Sequence, residues 1–363
     1  MQIGKLRVLK LAGSYYEMGY QHGKTYYDEI HMFTEDRLKL SSDPNWTGRS
    51  LSREEVLALG EACLEEHERY CPDLMQEIRG MADATGLGMA ELIIMNGYTD
   101  FIDTIYAIGD RALPGMPQPV DDCTAFLVPA HTAQDGRALF GQTWDMHASA
   151  TPYVILIHGT PTDAPTFYTF TITGCVGMIG MNDAGICVGI NNLMANDGQI
   201  GVMWNFVVRK ILQQHSLEDA LECLRTARLA GGHNYLLMDR NGRGYNVEAM
   251  PTHLHIERMD QQALLHTNHC LLPQNQRLER ERLPDSLASS HNRLRRAGEL
   301  LRQPGITPEM LMEITRDPEA ICVRAKPPMH VESCGAAIMR PASNEFWAVW
   351  GLPAENEYEH FVL

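Results

Sequence analysis

DDCTAFLV, residues 121–128, is where the chain changes character. Ahead of it lies a stretch punctuated by Pro114, Pro117 and Pro119, which reads as an extended, non-helical connection. Behind it the hydrophobic period shifts to that of strands, in CTAFLVPA, ALFGQTWDM, YVILIHG, FYTFTITG, VGMIGMN and GICVGINN, broken by Gly, Asn, Asp and Pro. Cys123 stands at the mouth of the first of these runs. Taken alone it is one of nine cysteines, and most cysteines are small packed hydrophobes.

Upstream of the boundary a short strand is expected at Leu6–Leu11, followed by a helix from Ser14 to about Leu38. Tyr16, Gly19, Tyr20 and Gly23 share a face of that helix, so the two glycines would admit another element closely. The loop SSDPNWTGRS comes next. Ser52 and Glu55 make a capping box for a helix that runs to Tyr70, where Pro72 supplies the stop. Shorter helices are expected at Asp73–Ala84 and Met89–Asn96.

Downstream, Asn182-Asp183-Ala184-Gly185 is a turn joining paired strands. Helices are predicted at 204–214 and 216–230, the second opened by Ser216 and Asp219 and closed by Gly231-Gly232. Strands resume in NYLLMD, GYNVEAM, HLHIERM and ALLHTNH. Further helices fall at 290–302 and 308–316, with Thr307-Pro308 as N-cap and N1, and a terminal hairpin turns near Ala342–Asn344. Two blocks of strands around a helical centre predict a layered α+β fold rather than repeated βαβ units.

Bulk properties narrow the chemistry. Thirty basic against forty-six acidic residues give a formal charge of -16 with no basic block, which disfavours nucleic acid and anionic membranes as partners. The nine cysteines lack C-x-x-C spacing, so neither a disulfide framework nor a four-cysteine zinc module is expected. No signal-like apolar segment opens the sequence and no apolar run reaches about eighteen residues, so a cytoplasmic protein is the expectation. Neither a dinucleotide fingerprint, a phosphate loop nor a G-x-S-x-G elbow is present, and no cofactor is expected.

Cys123 acquires chemical interest through its neighbours. With both peptide bonds intact it has no built-in base, and an outside histidine or lysine must serve. If the Asp122–Cys123 bond were cut, the freed α-amine, with a reference pKa of about 7.7 to 8, would sit within reach of its own sulfur. One residue then supplies nucleophile and base. Asp145, in GQTWDMH, offers a carboxylate to hold that ammonium or to cap a turn, and Trp144 beside it suits a pocket wall or ordinary core. Asn268, in LLHTNHC, offers an amide N–H for a developing oxyanion. Asn191 and Asn192 close an apolar strand as pocket-mouth or turn residues. Ser290 and Arg293, in SSHNRLRR, offer a hydroxyl and a cation to a carboxylate or phosphate. His266, His269 and Cys270 would need a fourth ligand and a helix to hold zinc, whereas the run before them reads as a strand, and no metal is assigned. His233, His253 and His255 follow no metalloprotease spacing.

GSYYEMGYQHG, DDCTAF, GQTWD, MIGMNDAGICVGINN, HTNH and the closing WGLP, in this order along nearly the whole chain, resemble the penicillin acyltransferase family of N-terminal-nucleophile hydrolases. The resemblance implies a four-layer αββα fold and a precursor that cuts itself before its nucleophile. It divides the chain into a mostly helical segment 1–122 and a catalytic segment 123–363 that stay associated as one domain. Carried over motif by motif, it makes Cys123 the nucleophile, Asp145 the active-site aspartate and Asn268 an oxyanion-hole donor. The substrate implied is a linear amide of a small N-acyl or peptide-like molecule, opened through a thioester, and homo-oligomerisation is left open. Asp122 departs from the glycine often found at this place, and glycine eases the strained geometry of self-attack. That departure keeps a non-catalytic binding protein as an alternative, beside a zinc amidohydrolase using the histidines.

Overall fold

The computed structural model describes residues 5–108, 122–327 and 330–363. Pro114, Pro117, Pro119 and Asp121 lie outside the described residues. The chain opens with strand β1 (Arg7–Gly13) and seven helices: α1 (Tyr15–Thr25), α2 (Tyr27–Ser42), α3 (Pro44–Thr47), α4 (Arg53–Tyr70), α5 (Pro72–Thr85), α6 (Met89–Asn96) and α7 (Tyr98–Ile108). Strands β2 (Cys123–Val128), β3 (Leu139–His147), β4 (Val154–Pro161), β5 (Phe167–Ile172), β6 (Ile179–Asn182) and β7 (Cys187–Leu193) follow. After α8 (Trp204–Ile211) and α9 (Leu217–Thr226) come β8 (Gly232–Met238), β9 (Gly244–Met250), β10 (His253–Arg258) and β11 (Leu264–His266). The rest comprises α10 (Pro273–Gln276), α11 (Pro284–Leu300), α12 (Pro308–Thr315), β12 (Val331–Arg340), β13 (Glu345–Trp350) and β14 (Glu359–Val362).

The strands form two sheets. One runs β1-β4-β5-β6-β7-β8-β9-β10, antiparallel except for the parallel β1–β4 pair; the other runs β11-β2-β3-β12-β13-β14, antiparallel throughout. Their inner faces, together with helices α1, α2 and α4 to α9, share one large core, while α11 and α12 cover the outer face of the six-stranded sheet through a second cluster that includes Phe126, Val128, Leu139, Ala297, Leu311 and Ile338. This is the expected α+β, αββα arrangement.

Capping decides several boundaries as read from sequence. Ser52 and Glu55 close a reciprocal capping box, Ser216 accepts from Asp219 N, and Thr307 accepts from Met310 N. Other boundaries differ. The long first helix is broken at Tyr26 into α1 and α2. The polar loop contains α3, started by the Asp43 side chain at Asn45 N and Pro44 at N1. Helix α9 ends at Thr226, and Gly232 opens β8 instead of closing a helix. Helix α11 begins at Pro284 rather than Ser290, because the proline is preset for N1.

Candidate active site

Cys123 is the first residue of β2, held between β11 and β3 and paired with Trp144. Side chains alternate along a strand. Cys123, Ala125 and Leu127 accordingly join the core between the sheets, whereas Phe126 and Val128 join the cluster under α11 and α12. The thiol therefore points inward, with the Trp144 indole opposite it on the same face. The Asp122–Cys123 bond is itself buried, the two residues being 5% and 2% exposed.

The backbone at this point is tethered on both sides. Cys123 N donates to Asn268 Oδ1 at 2.6 Å. The Arg293 guanidinium, fully buried, spreads its donors around the same residue and its neighbours: Nη1 to the Cys123 carbonyl and to Thr124 Oγ1, Nη2 to Asp122 Oδ1 at 2.8 Å and to Asn268 Oδ1 at 3.1 Å, and Nε to Ser289 Oγ at 3.3 Å. Two donors on Asn268 Oδ1 fix how the amide is turned. Its Nδ2 donates to the Asn192 carbonyl at 3.3 Å, which leaves the second Nδ2 hydrogen for an oxyanion.

Helix α11 supplies most of this support from the far side of the sequence. Ser290 Oγ accepts from Asn268 N at 2.9 Å and meets His269 Nδ1 at 2.7 Å, while Thr267 Oγ1 donates to the Ser290 carbonyl at 3.1 Å. Ser290 thus fixes the Thr267–His269 loop instead of meeting a carboxylate. Ser289, one residue before, donates to Asp122 Oδ2 at 3.1 Å, so Asp122 sits in a cradle of one hydroxyl and one guanidinium. Ser289 was not among the residues singled out from sequence. Placing the helix start at Ser290 hid it, although Ser289 and Arg293 are four apart and share a helix face.

Asp145 lies on β3 next to Trp144 and, by alternation, on the opposite face from the thiol, the face that carries Arg293. It is fully buried and, among the described residues, neither carboxylate oxygen has a hydrogen-bond partner of normal geometry. Burial pushes its carboxyl well above the usual range; Arg293, and the hydroxyls of Ser333 and Thr143, pull the other way. Asn191 is also buried with both amide atoms unpartnered, opposite Asn234 of β8, whose amide is in the same condition. Asn192 holds the site through its carbonyl, which also accepts from Arg282 Nη2 at 3.2 Å.

The histidines are otherwise engaged. His266 Nε2 lies 3.0 Å from Glu248, its Nδ1 meets the Thr267 carbonyl, and burial next to His291 lowers the His269 pKa to about 3. Among the described residues no three His, Cys, Asp or Glu side chains are placed to share a metal ion.

Comparison with known proteins bears on this geometry. A family described as acyl-coenzyme A:6-aminopenicillanic acid acyl-transferase matches residues 132–355, a stretch that begins after Cys123 and takes in Asp145, Asn268 and Arg293. The acyl-coenzyme A:6-aminopenicillanic-acid-acyltransferase 40 kDa form of Emericella nidulans is 25% identical over 283 residues, covering 77% of this chain and 73% of its own. An uncharacterised protein of Archaeoglobus fulgidus is 25% identical over 252 residues, covering 65% and 42%. Among solved structures, a variant of conjugated bile acid hydrolase from Clostridium perfringens aligns with a TM-score of 0.42 and 13% identity over 66% of this chain and 97% of its own. Penicillin V acylase from Agrobacterium tumefaciens gives 0.36 and 12% over 63% and 83%.

Proposed function

Because the chain belongs to the acyl-coenzyme A:6-aminopenicillanic acid acyl-transferase family, within the N-terminal-nucleophile hydrolases, we propose that its activity on amide bonds runs through Cys123, released as a new N-terminus by cleavage of the Asp122–Cys123 bond. The observation that carries this reading is the double tether of the Cys123 backbone, its N on Asn268 and its carbonyl, one peptide further on, on Arg293. Ordinary strand cysteines have no need of such a fixture.

Processing is an N-to-S acyl shift. The Cys123 sulfur attacks the Asp122 carbonyl, the C–N bond breaks, the nitrogen keeps the proton given up by the thiol, and water then hydrolyses the Asp122 thioester. The α-amine so formed remains within reach of Asn268 Oδ1 and has a pKa suited to a general base near neutral pH. In turnover it takes the thiol proton as sulfur attacks the substrate carbonyl and hands it to the departing amine. The free Nδ2 hydrogen of Asn268 serves the oxyanion, a contact whose loss typically costs about 3 kcal/mol of transition-state stabilisation. Water or a second amine then resolves the thioester, and hydrolase and acyltransferase differ only in that last attacker. The substrate is a linear amide of a small N-acyl or peptide-like molecule.

Asp122 takes the place often held by glycine, and the Ser289–Arg293 cradle supports it by fixing the carboxylate that would otherwise float beside the scissile carbonyl. Intact mass and N-terminal sequencing of the purified protein test the reading. The expected products are 1–122 and a fragment beginning at Cys123, with Cys123→Ala undivided and inactive on amides. An undivided wild-type chain that turns over amides, or an active Cys123→Ala variant, would sink it.

A further inference from the structure

A second feature lies on the thiol's side of the sheet. A narrow cavity of about 30 Å³, measured as space open to the centre of a water molecule, is lined by Phe33, Arg37, Tyr98, Trp144, Met146 and Trp204, among others. That volume holds more than a single water, for which about 10 to 15 Å³ by the same measure suffices. Trp144 is the strand partner of Cys123 and presents its indole on the same face, so one wall of the cavity adjoins the thiol.

Arg37 is the anomaly in this wall. It is 2% exposed and lies over the rings of Phe33 and Tyr98, 4.4 and 4.9 Å from their centroids. Among the described residues neither of its terminal nitrogens has a hydrogen-bond partner, and the carboxylate paired with it, Asp36, comes no closer than 3.9 Å, to Nε. The other buried arginines each meet a carboxylate closely: Arg209 with Glu77 at 2.8 Å, Arg280 with Asp103 at 3.1 Å, Arg282 with Glu279 at 3.2 Å and Arg293 with Asp122 at 2.8 Å. Ring faces offset part of the cost of burying a cation, but they leave the planar fork of donors empty. Such a fork matches a carboxylate in two parallel hydrogen bonds.

Building on the assignment of Cys123 as nucleophile, we propose that this cavity is the specificity pocket for an amide that carries a carboxylate at the end of an apolar arm, with the Arg37 guanidinium as the carboxylate's partner. As the side chains stand, about 30 Å³ admits only the carboxylate end, so the arm, laid along Trp144, Met146 and Trp204, enters as the flexible side chains of Met95, Met146 and Met178 swing aside. In a protein carrying a formal charge of -16, a buried cation with no close carboxylate among the described residues favours an anion over a neutral group. The carboxylate belongs to either half of the substrate, acyl or amine, and the two are separable by experiment.

Two matched pairs decide it: suberic mono-p-nitroanilide against its terminal carboxamide for the acyl half, and N-hexanoylphenylalanine against N-hexanoylphenylalaninamide for the amine half. The processed enzyme is expected to favour the carboxylate member of one pair by about tenfold or more in kcat/KM. Arg37→Gln should bring that ratio near one by lowering kcat/KM for the carboxylate member, and Arg37→Lys should keep part of it. A binding arm needs no turnover: hexanoate, but not hexanamide, should raise the wild-type melting temperature, and Arg37→Gln should abolish the shift. Should Arg37→Gln fail to fold, the wild-type comparison of hexanoate with hexanamide decides alone. Equal handling of both members in each pair, or equal binding of hexanoate and hexanamide, overturns the pocket. If no fragment beginning at Cys123 forms, the nucleophile assignment fails instead, and the hexanoate measurement still decides the role of Arg37.

Discussion

Asp145 shows what a single buried carboxyl does to the molecule around it. An unfolded aspartate ionises near pH 3.9, whereas burial holds the folded Asp145 proton to much higher pH. Between those two pKa values unfolding releases a proton, so its contribution to stability falls as pH rises, by about 1.4 kcal/mol per pH unit, and levels off above the folded pKa. Asparagine keeps the shape and does not titrate. In a Cys123→Ala background, which holds the bond intact, Asp145→Asn should therefore gain stability relative to its parent as pH rises from about 4 to 8; urea midpoints at stepped pH measure it, and a pH-independent difference would contradict the burial argument. Arg293 gives the complementary case. Its five donors reach Asp122, Cys123, Thr124, Asn268 and Ser289 at once, a spread that the three donors of a lysine ammonium cannot reproduce from one point. Arg293→Lys should slow cleavage by about tenfold or more, followed as the fraction of divided chain over time after denatured protein is refolded. Wild-type kinetics in that variant would mean that charge alone, rather than the fork, holds the peptide.

At the scale of elements, Gly19 and Gly23 mark a face that admits another element closely, and the structure identifies that element as α5. A Cβ built on Gly19 would come within 1.8 Å of the Glu77 carbonyl oxygen, and one on Gly80 of α5 within 2.0 Å of the Tyr16 carbonyl oxygen. Backbone cannot step aside as a side chain does, so Gly19→Ala should cost about 3 kcal/mol or more, at the upper end of overpacking effects, read as a lowered denaturation midpoint. A near-neutral result would show that the two helices can slide apart. Signals of this kind, glycine faces and capping residues, are local, which is why Ser52–Glu55, Ser216–Asp219 and Thr307–Pro308 could be read from the chain. Helix α7 could not: all residues from Tyr98 to Ile105 are buried, including Asp100 and Asp103, so no polar face marks its period. Nor could the short β14, whose exposed, charged sequence reads as tail until Phe346 and its neighbours pair with it. The site divides in the same way. Cys123 and Asn268 stand in recognisable motifs, but the weight carried by Arg293 depends on folding α11 back across 170 residues of sequence to the Cys123 carbonyl, which no local pattern encodes.

For the whole molecule, the proposed cleavage after residue 122 poses the question of what would keep the halves together. The first segment lends β1 to the eight-stranded sheet along the full register Arg7–Gly13 with Ile155–Pro161, and Glu77 of α5 pairs with Arg209 of α8 where both are 1% exposed. Removing one partner of such a pair leaves an uncompensated charge, so Glu77→Ala should cost about 3 to 5 kcal/mol. Two histidines stitch the same boundary as neutral acceptors. His22 Nε2 accepts from Gly174 N at 2.9 Å and His67 Nε2 from Met203 N at 3.0 Å, while His67 Nδ1 donates to the Cys63 carbonyl. Burial lowers their pKa values to about 3 and about 4. Both folded pKa values lie below the unfolded value of about 6.5, so this contribution is complete above pH 6.5 and is lost as pH falls toward the folded values, at about 1.4 kcal/mol per unit for each ring. The divided protein should therefore elute as one particle at neutral pH and release its smaller segment on acidification. His67→Gln, which offers a donor and an acceptor without titrating, should make release less steep in pH than in the wild type. Size-exclusion chromatography of the processed protein at stepped pH measures both, and a release curve with the same slope in His67→Gln would remove His67 from the boundary.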